Sequence, residues 1–437
     1  MRPGSVTGRG ARRAGLVAAL LACLAGASAG PAAAQDAPYA DWNAGYPGFP
    51  SNVARDAARD CTAGSRACID RTVDEMYRRF HTVIPRCDHN AVFSLTYIRV
   101  TEDIRRGIDQ GFYPELVWIN HLDAIFARVY FAAYDNWAAG RRALVPPAWR
   151  IAFDSARRRE VQGIGNLLLA MNGHINRDFP FMLWHAGLAR PNGASRKDEH
   201  DSGNARLRAL YKPMLTELAQ RFDDSIDNYD APGSDFDDET IFSILVGWRE
   251  AAWRNAERLA AASSDSARRS VAADIEAQAE SQAQLIYANA AYKPGEEGRA
   301  LRDARCARFG GQDPAWGRSA ARPALRGAIA RAVLPRAGLR MGAGSTARVV
   351  LACPAGGSAC TGIVHLRAAR QRIGAHTFEL TAGARRTYAI PLSATARRWA
   401  RTRGRFRVRV AIRALVEPTR VAWTTRTTSL NHPTTHR

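Results

Sequence analysis

The stretch Glu160-Val-Gln-Gly-Ile-Gly-Asn-Leu-Leu-Leu-Ala-Met-Asn-Gly-His-Ile-Asn-Arg-Asp178 decides the fold, because it sets its most apolar turns against a polar end. Read as a helix, Glu160, Ile164, Leu167, Met171, His174 and Asp178 recur at steps of four and three, the spacing of one helix face. Such a seam has to pack against other helices, and its polar end has to find partners among them. His174 and Asp178 stand one turn apart and can share an ion or a proton. Glu160, about 21 Å back along the axis at 1.5 Å per residue, cannot join them. Pro180 is expected to close this helix, since it has no N–H and disfavours helical geometry at Phe179, and that would leave Asp178 near the mouth of any cleft.

The neighbouring segments carry the same period. The run ending at Val83 puts Ile69, Val73, Met76, Tyr77 and Phe80 on one face, and Asn90–Ile108 continues with Val92, Phe93, Leu95, Tyr97, Ile98 and Ile104. Pro114 opens a helix to about Ala139, and Pro146-Pro147 opens the long helix to Asp178. Further helices fit Asn204–Tyr229, Asp237–Ala262 and Ser264–Ala290, with Gly, Pro or Ser-Asp punctuation between them. The expectation is an all-α helical bundle over residues 61–307, preceded by an arm at 35–60.

Beyond it the period changes. Residues 308–343, rich in Gly, Pro, Ala and Arg, read as a linker. Short alternating runs follow at Ala347–Cys353, Gly362–Leu366, His376–Leu380, Arg386–Pro391, Arg405–Ile412 and Arg420–Thr427. In the last but one, Phe406, Val408 and Val410 fall on one side and Arg405, Arg407 and Arg409 on the other. A small all-β, sandwich-like domain over 344–430 fits, with a short helix at Ala394–Thr402, so the fold class is multidomain, α bundle then β.

Charge divides the chain in the same way. Of the formal net +21, residues 299–437 supply +23, with 27 Arg and no Lys against 4 acidic residues. The four Arg of residues 1–34 leave residues 35–298 at −6. Those first residues have the basic, apolar and small-residue order of a secretory signal, with cleavage expected near Ala34. Arg12-Arg13 as a twin-arginine signal and Cys23 as a lipoprotein cysteine are the rival readings. No other stretch is long and apolar enough to span a membrane.

In an exported chain the six cysteines after Cys23 are expected to form disulfides. Spacing pairs Cys61 with Cys68 and Cys353 with Cys360, leaving Cys87 for Cys306. No Cys pair has zinc-ligand spacing.

Asp123 is the most informative acid outside the central helix. Its neighbours on the helix face are Ile119, Phe126 and Tyr130, so its carboxylate needs a cation, a metal or strong donors. One reading gathers Asp123, His174 and Asp178 around a divalent metal between facing helices, in a hydrolase or oxygen-handling enzyme. The other makes them a buried hydrogen-bond network that pins helix register. Asn172 and Asn176 form a second pair on another face. With His185 they mark a candidate polar cleft, or simply bond to neighbouring loop backbone; His185 and His121 themselves read more simply as surface or loop residues. Asp235-Phe-Asp-Asp lacks the ligand alternation of a calcium loop and fits a helix start. No nucleophile elbow, Cys–His signature or phosphate-cradling Gly-rich loop occurs. The Arg-rich region lacks the motifs of specific nucleic-acid recognition, so anionic cell-wall polymer or lipid is the expected partner, against a plain solvated Arg-rich β surface.

Met171-Asn-Gly-His-Ile-Asn-Arg-Asp-Phe-Pro180, with Leu122-Asp-Ala-Ile-Phe-Ala-Arg-Val-Tyr130 upstream and Asp235-Phe-Asp-Asp downstream, resembles an uncharacterised bacterial domain-of-unknown-function family over about residues 70–260. Its members share an (A/G)HINxDLP core, an LDxxFAxxY helix and a DFxxxN-like helix start. Phe179 stands here in place of the usual Leu, and the last element lacks the Asn. The resemblance implies kinship of fold and brings no activity with it. Cys353-Pro-x₅-Cys360-Thr-Gly likewise resembles the Arg-rich β-sandwich module of exported bacterial proteins. Together these readings imply a cell-envelope binding or structural protein held by its basic β module, with the metal enzyme as the alternative.

Overall fold

The computed structural model describes residues 49–53, 56–227, 237–292, 298–307, 330–342, 345–355, 360–369, 371–417 and 420–432. The expected signal segment, most of the arm, residues 235–236 of the Asp235 helix start and the first part of the expected linker lie outside them. The chain divides into two compact units: one holds residues up to Leu210 together with Glu239–Asp303, the other Tyr211–Asp238 together with Ala304–Arg437.

The first unit is helical. Its elements are α1 (Arg66–Val83), α2 (Ala91–Asp109), α3 (Leu116–Ala138), α4 (Pro147–Arg157), α5 (Gly163–Met171), a π-turn (Asn172–Asp178) and α6 (Phe179–Ala186). They are followed by α7 (Lys197–Arg221), α8 (Asp237–Ala261), α9 (Asp265–Ala290) and α10 (Gly298–Arg305), and the division between units falls within α7, α8 and α10. The apolar faces read from the sequence are the buried ones. Ile69, Val73, Met76, Tyr77 and Phe80 of α1 are buried, as are Val92, Phe93, Leu95, Tyr97 and Ile98 of α2. Pro147 stands in the first turn of α4, where its missing N–H costs nothing, and the Ser264 hydroxyl accepts from the Ala267 N–H to start α9. Trp118, Leu122, Ile125, Phe179, Phe181 and Trp253 belong to one apolar core.

Two expectations about the central stretch need correction. The long helix from Pro147 is broken between α4 and α5, and Glu160 lies in the break, where its carbonyl accepts from the Tyr292 N–H. The helix also does not stop at Pro180. It widens through the π-turn and continues as α6, with Pro180 in the first turn of the new segment. A wider turn absorbs the bond that proline cannot donate, so the chain keeps its axis instead of ending. Gly173 lets this turn lie against Trp149: a Cβ there would come within 2.9 Å of the indole.

The second unit carries β1 (Arg331–Val333), β2 (Leu339–Gly342), β3 (Thr346–Ala352), β4 (Cys360–Ala368), β5 (Gln371–Leu380), β6 (Arg385–Pro391), α11 (Ala394–Arg403), β7 (Arg405–Glu417) and β8 (Arg420–Asn431). The strands form one curled mixed sheet in the order β1-β3-β2-β8-β7-β4-β5, with β6 also on β3. Every expected strand and the short helix are present. What differs is the closure: β2 pairs antiparallel with β3 and parallel with β8, joining the two expected sheets. β1 and β2 both lie in the stretch read as linker. Val349, Leu351, Val364, Leu366, Val408, Val410 and Leu430 face a single apolar core, while Arg405, Arg407 and Arg409 are exposed. Arg413 breaks the alternation by being buried, and the Asp227 carboxylate meets it there.

Cys61–Cys68 and Cys353–Cys360 are disulfides, with Cα atoms 5.6 and 5.7 Å apart, and Cys87 and Cys306 are also disulfide-bonded. No helix among the described residues is long and apolar enough to cross a membrane.

Candidate functional site

The polar end of the central stretch forms a closed network. Asp178 is fully buried, not at a cleft mouth. Its Oδ2 accepts from Trp149 Nε1 at 2.8 Å and lies 3.3 Å from His174 Nδ1, while its Oδ1 accepts from Arg177 Nη1 at 2.9 Å. Asp178 sits inside because α6 continues past it and covers it. His174 is sandwiched among rings, stacked on Phe126 at 3.5 Å and edge-on to Tyr97 at 4.4 Å. Burial holds its imidazole below the usual pKa in spite of Asp178, so it is neutral.

Asn172, Asn176 and His185, the candidate polar cleft, are all buried. Asn172 Nδ2 donates to the Ala279 carbonyl at 2.8 Å, and Asn176 Nδ2 donates to Asn172 Oδ1 at 2.9 Å and Gln282 Oε1 at 2.6 Å. The partners come from α9 and not from a loop, so helix packing closes that face. His185 and His121, read as surface or loop residues, are both buried. His121 Nδ1 lies 2.5 Å from the Asp60 carbonyl.

Asp123 behaves differently. Its residue is 3% exposed and neither carboxylate oxygen has a hydrogen-bond partner. It lies on the wall of a cavity of about 100 Å³ inside the helical unit, with Trp118, Leu122, Phe126 and Phe179 among the apolar walls. Burial pushes its carboxyl up to about 7. The Tyr97 hydroxyl, on the same wall, is also unpartnered, and burial followed by the charges of Asp123 and Asp178 holds it well above the phenol range.

Further polar groups of the cavity are Asp103 of α2, Tyr113, and Glu199, His200, Arg206 and Arg249 of α7 and α8. His200 Nδ1 is 3.0 Å from Asp201 and its Nε2 is unpartnered; burial lowers it to about 4, so it too is neutral. Arg249 donates to Asn204 Oδ1 at 2.7 Å and to the His200 carbonyl at 2.6 Å, and burial brings it down to about 10. Arg206 is held by a two-pronged pair with Asp103. Sequence reading missed His200 and Arg249, whose polar surroundings look like a solvated helix start and a solvated helix face. In the structure the Phe179 and Trp253 rings lie 5.6 and 5.1 Å from His200, contacts that no spacing in the sequence reveals.

Of the three residues weighed as metal ligands, His174 and Asp178 touch each other, and Asp123 hydrogen-bonds to neither. Among the described residues no three or more His, Cys, Asp or Glu side chains are arranged to hold a metal ion. What the cavity can do is offer one desolvated carboxyl, balanced between acid and carboxylate near neutral pH, to a donor brought by a small apolar molecule.

These features define a helical-bundle domain with an internal acid at a small cavity, joined to a disulfide-containing β unit. Residues 69–289 match the model of the family of unknown function DUF5995, and the chain belongs to that family. No curated protein and no solved structure matches it.

Proposed function

We propose that this chain is an exported binding protein of the cell envelope. Its helical unit seats a small, largely apolar ligand carrying one hydrogen-bond donor or ammonium group. Its basic β unit holds it to an anionic polymer or lipid surface. The observation that carries the reading is Asp123: a carboxyl left without a bond inside an apolar wall is costly, and an entering donor removes that cost. The cavity is smaller than one of roughly 150 Å³ that admits benzene, so the ligand body is a short alkyl chain or a small ring.

Short amines test this. Butylamine at pH 8 should raise the melting temperature of the full chain and leave that of Asp123→Asn unmoved, because the amide offers no charge to the ammonium. Equal shifts in the two proteins would show that the amine binds elsewhere and would remove the reading.

A further inference from the structure

The β unit carries a groove of about 730 Å³ between residues 334–336 and the β7–β8 ribbon. Arg336, Arg405, Arg407 and Arg426 line it, all exposed. None of the four has a carboxylate partner among the described residues, although the helical unit pairs most of its arginines. Arg426 is steadied by donating to the Ala332 carbonyl at 3.1 Å. Thr427, Thr428 and Ser429 also line it. Arg405 and Arg407 alternate with buried Phe406, which places their Cα atoms roughly 7 Å apart at 3.4 Å per residue.

We propose that this groove docks one strand of a linear polyanion, with its anionic groups met by Arg336, Arg405, Arg407 and Arg426. The inference rests on the reading of the β unit as the hold on an anionic surface and gives that hold its residues. Two features favour a strand over a flat membrane. The site is a concave channel between two chain segments, and guanidinium forks grip individual oxyanions bidentately, which a diffuse surface potential does not require. Four like-charged arginines lining one groove repel, so the groove gains most from an occupant with repeated negative charge.

The test measures binding of long-chain inorganic polyphosphate to the full chain between 50 and 200 mM salt. Four contacts on a single strand should weaken binding roughly 50-fold across that range, and Arg405→Gln with Arg407→Gln should cut this to roughly 7-fold, because two contacts remain. Arg348→Gln with Arg385→Gln removes the same charge from exposed positions on β3 and β6 that do not line the groove, and should keep the wild-type slope. Equal loss in both double variants would mean that diffuse charge, not the groove, does the binding. Binding to phosphatidylglycerol vesicles without binding to polyphosphate would also overturn the proposal in favour of a membrane. If the wild type binds neither at 50 mM salt, the reading of the β unit fails as well.

Discussion

Asp123 and Asp178 are both buried aspartates on the seams of the helical unit, yet their surroundings give them opposite energetics. Asp178 is met on both oxygens by Trp149, His174 and Arg177, so Asp178→Ala should destabilise by about 3 to 5 kcal/mol, read by urea unfolding. A loss below 1 kcal/mol would show that the network is not structural. Asp123 has no partner to strand. Its folded pKa, about 7, lies above the ordinary carboxyl value, so the folded state holds the proton more tightly than the unfolded one. Its stabilising contribution is therefore complete below about pH 4 and is lost as pH rises to 7, a swing of about 4 kcal/mol. Asp123→Asn should then be more stable than the wild type at pH 8 by about 1 to 3 kcal/mol, once the amide's own unmet bonds are set against the gain, with the difference closing as pH falls. A difference independent of pH would contradict this. The acid itself was legible, because a carboxylate on the stripe of Ile119, Phe126 and Tyr130 has no solvent face. Its cavity partners were not, because His200 and Arg249 lie far along the chain amid residues that pattern as surface.

Among the elements, period was a good guide and continuity a poor one. The alternation in β7 and the three-four spacing of α1 and α2 name their buried faces, since those patterns report burial directly. The π-turn and the strands β1 and β2 left no such mark. A π-turn shifts register by a single residue, and strands of three and four residues are too short to display a period. The π-turn explains why Pro180 failed as a stop signal, and it depends on close approach to Trp149. Gly173→Ala should therefore cost about 1 to 3 kcal/mol, because the added methyl meets a fully buried indole that has no room to move. The expected sign is opposite to the usual gain from replacing a helical glycine. A stabilised Gly173→Ala protein, measured by thermal unfolding, would show that the turn is not held against that ring.

At the scale of the molecule, the oxidised cysteines are compatible with an extracellular protein. Each of the two local bridges closes a loop of sequence separation 7, so reducing either should cost about 2 kcal/mol, and thiol titration of the mature, denatured, unreduced chain should find no free cysteine. Two or more free thiols would break the account of its redox state. Family membership places the helical unit among relatives without assigning it chemistry, so the central claim rests on the internal acid at the cavity. The most direct test follows the Asp123 carboxyl carbon by NMR from pH 4 to 9, with Asp123→Asn used to assign the signal. The midpoint is expected near 7 and should move below 5 when butylamine saturates the cavity. A midpoint near 4 in the free protein would mean that Asp123 is solvated or already paired, and would contradict the central claim.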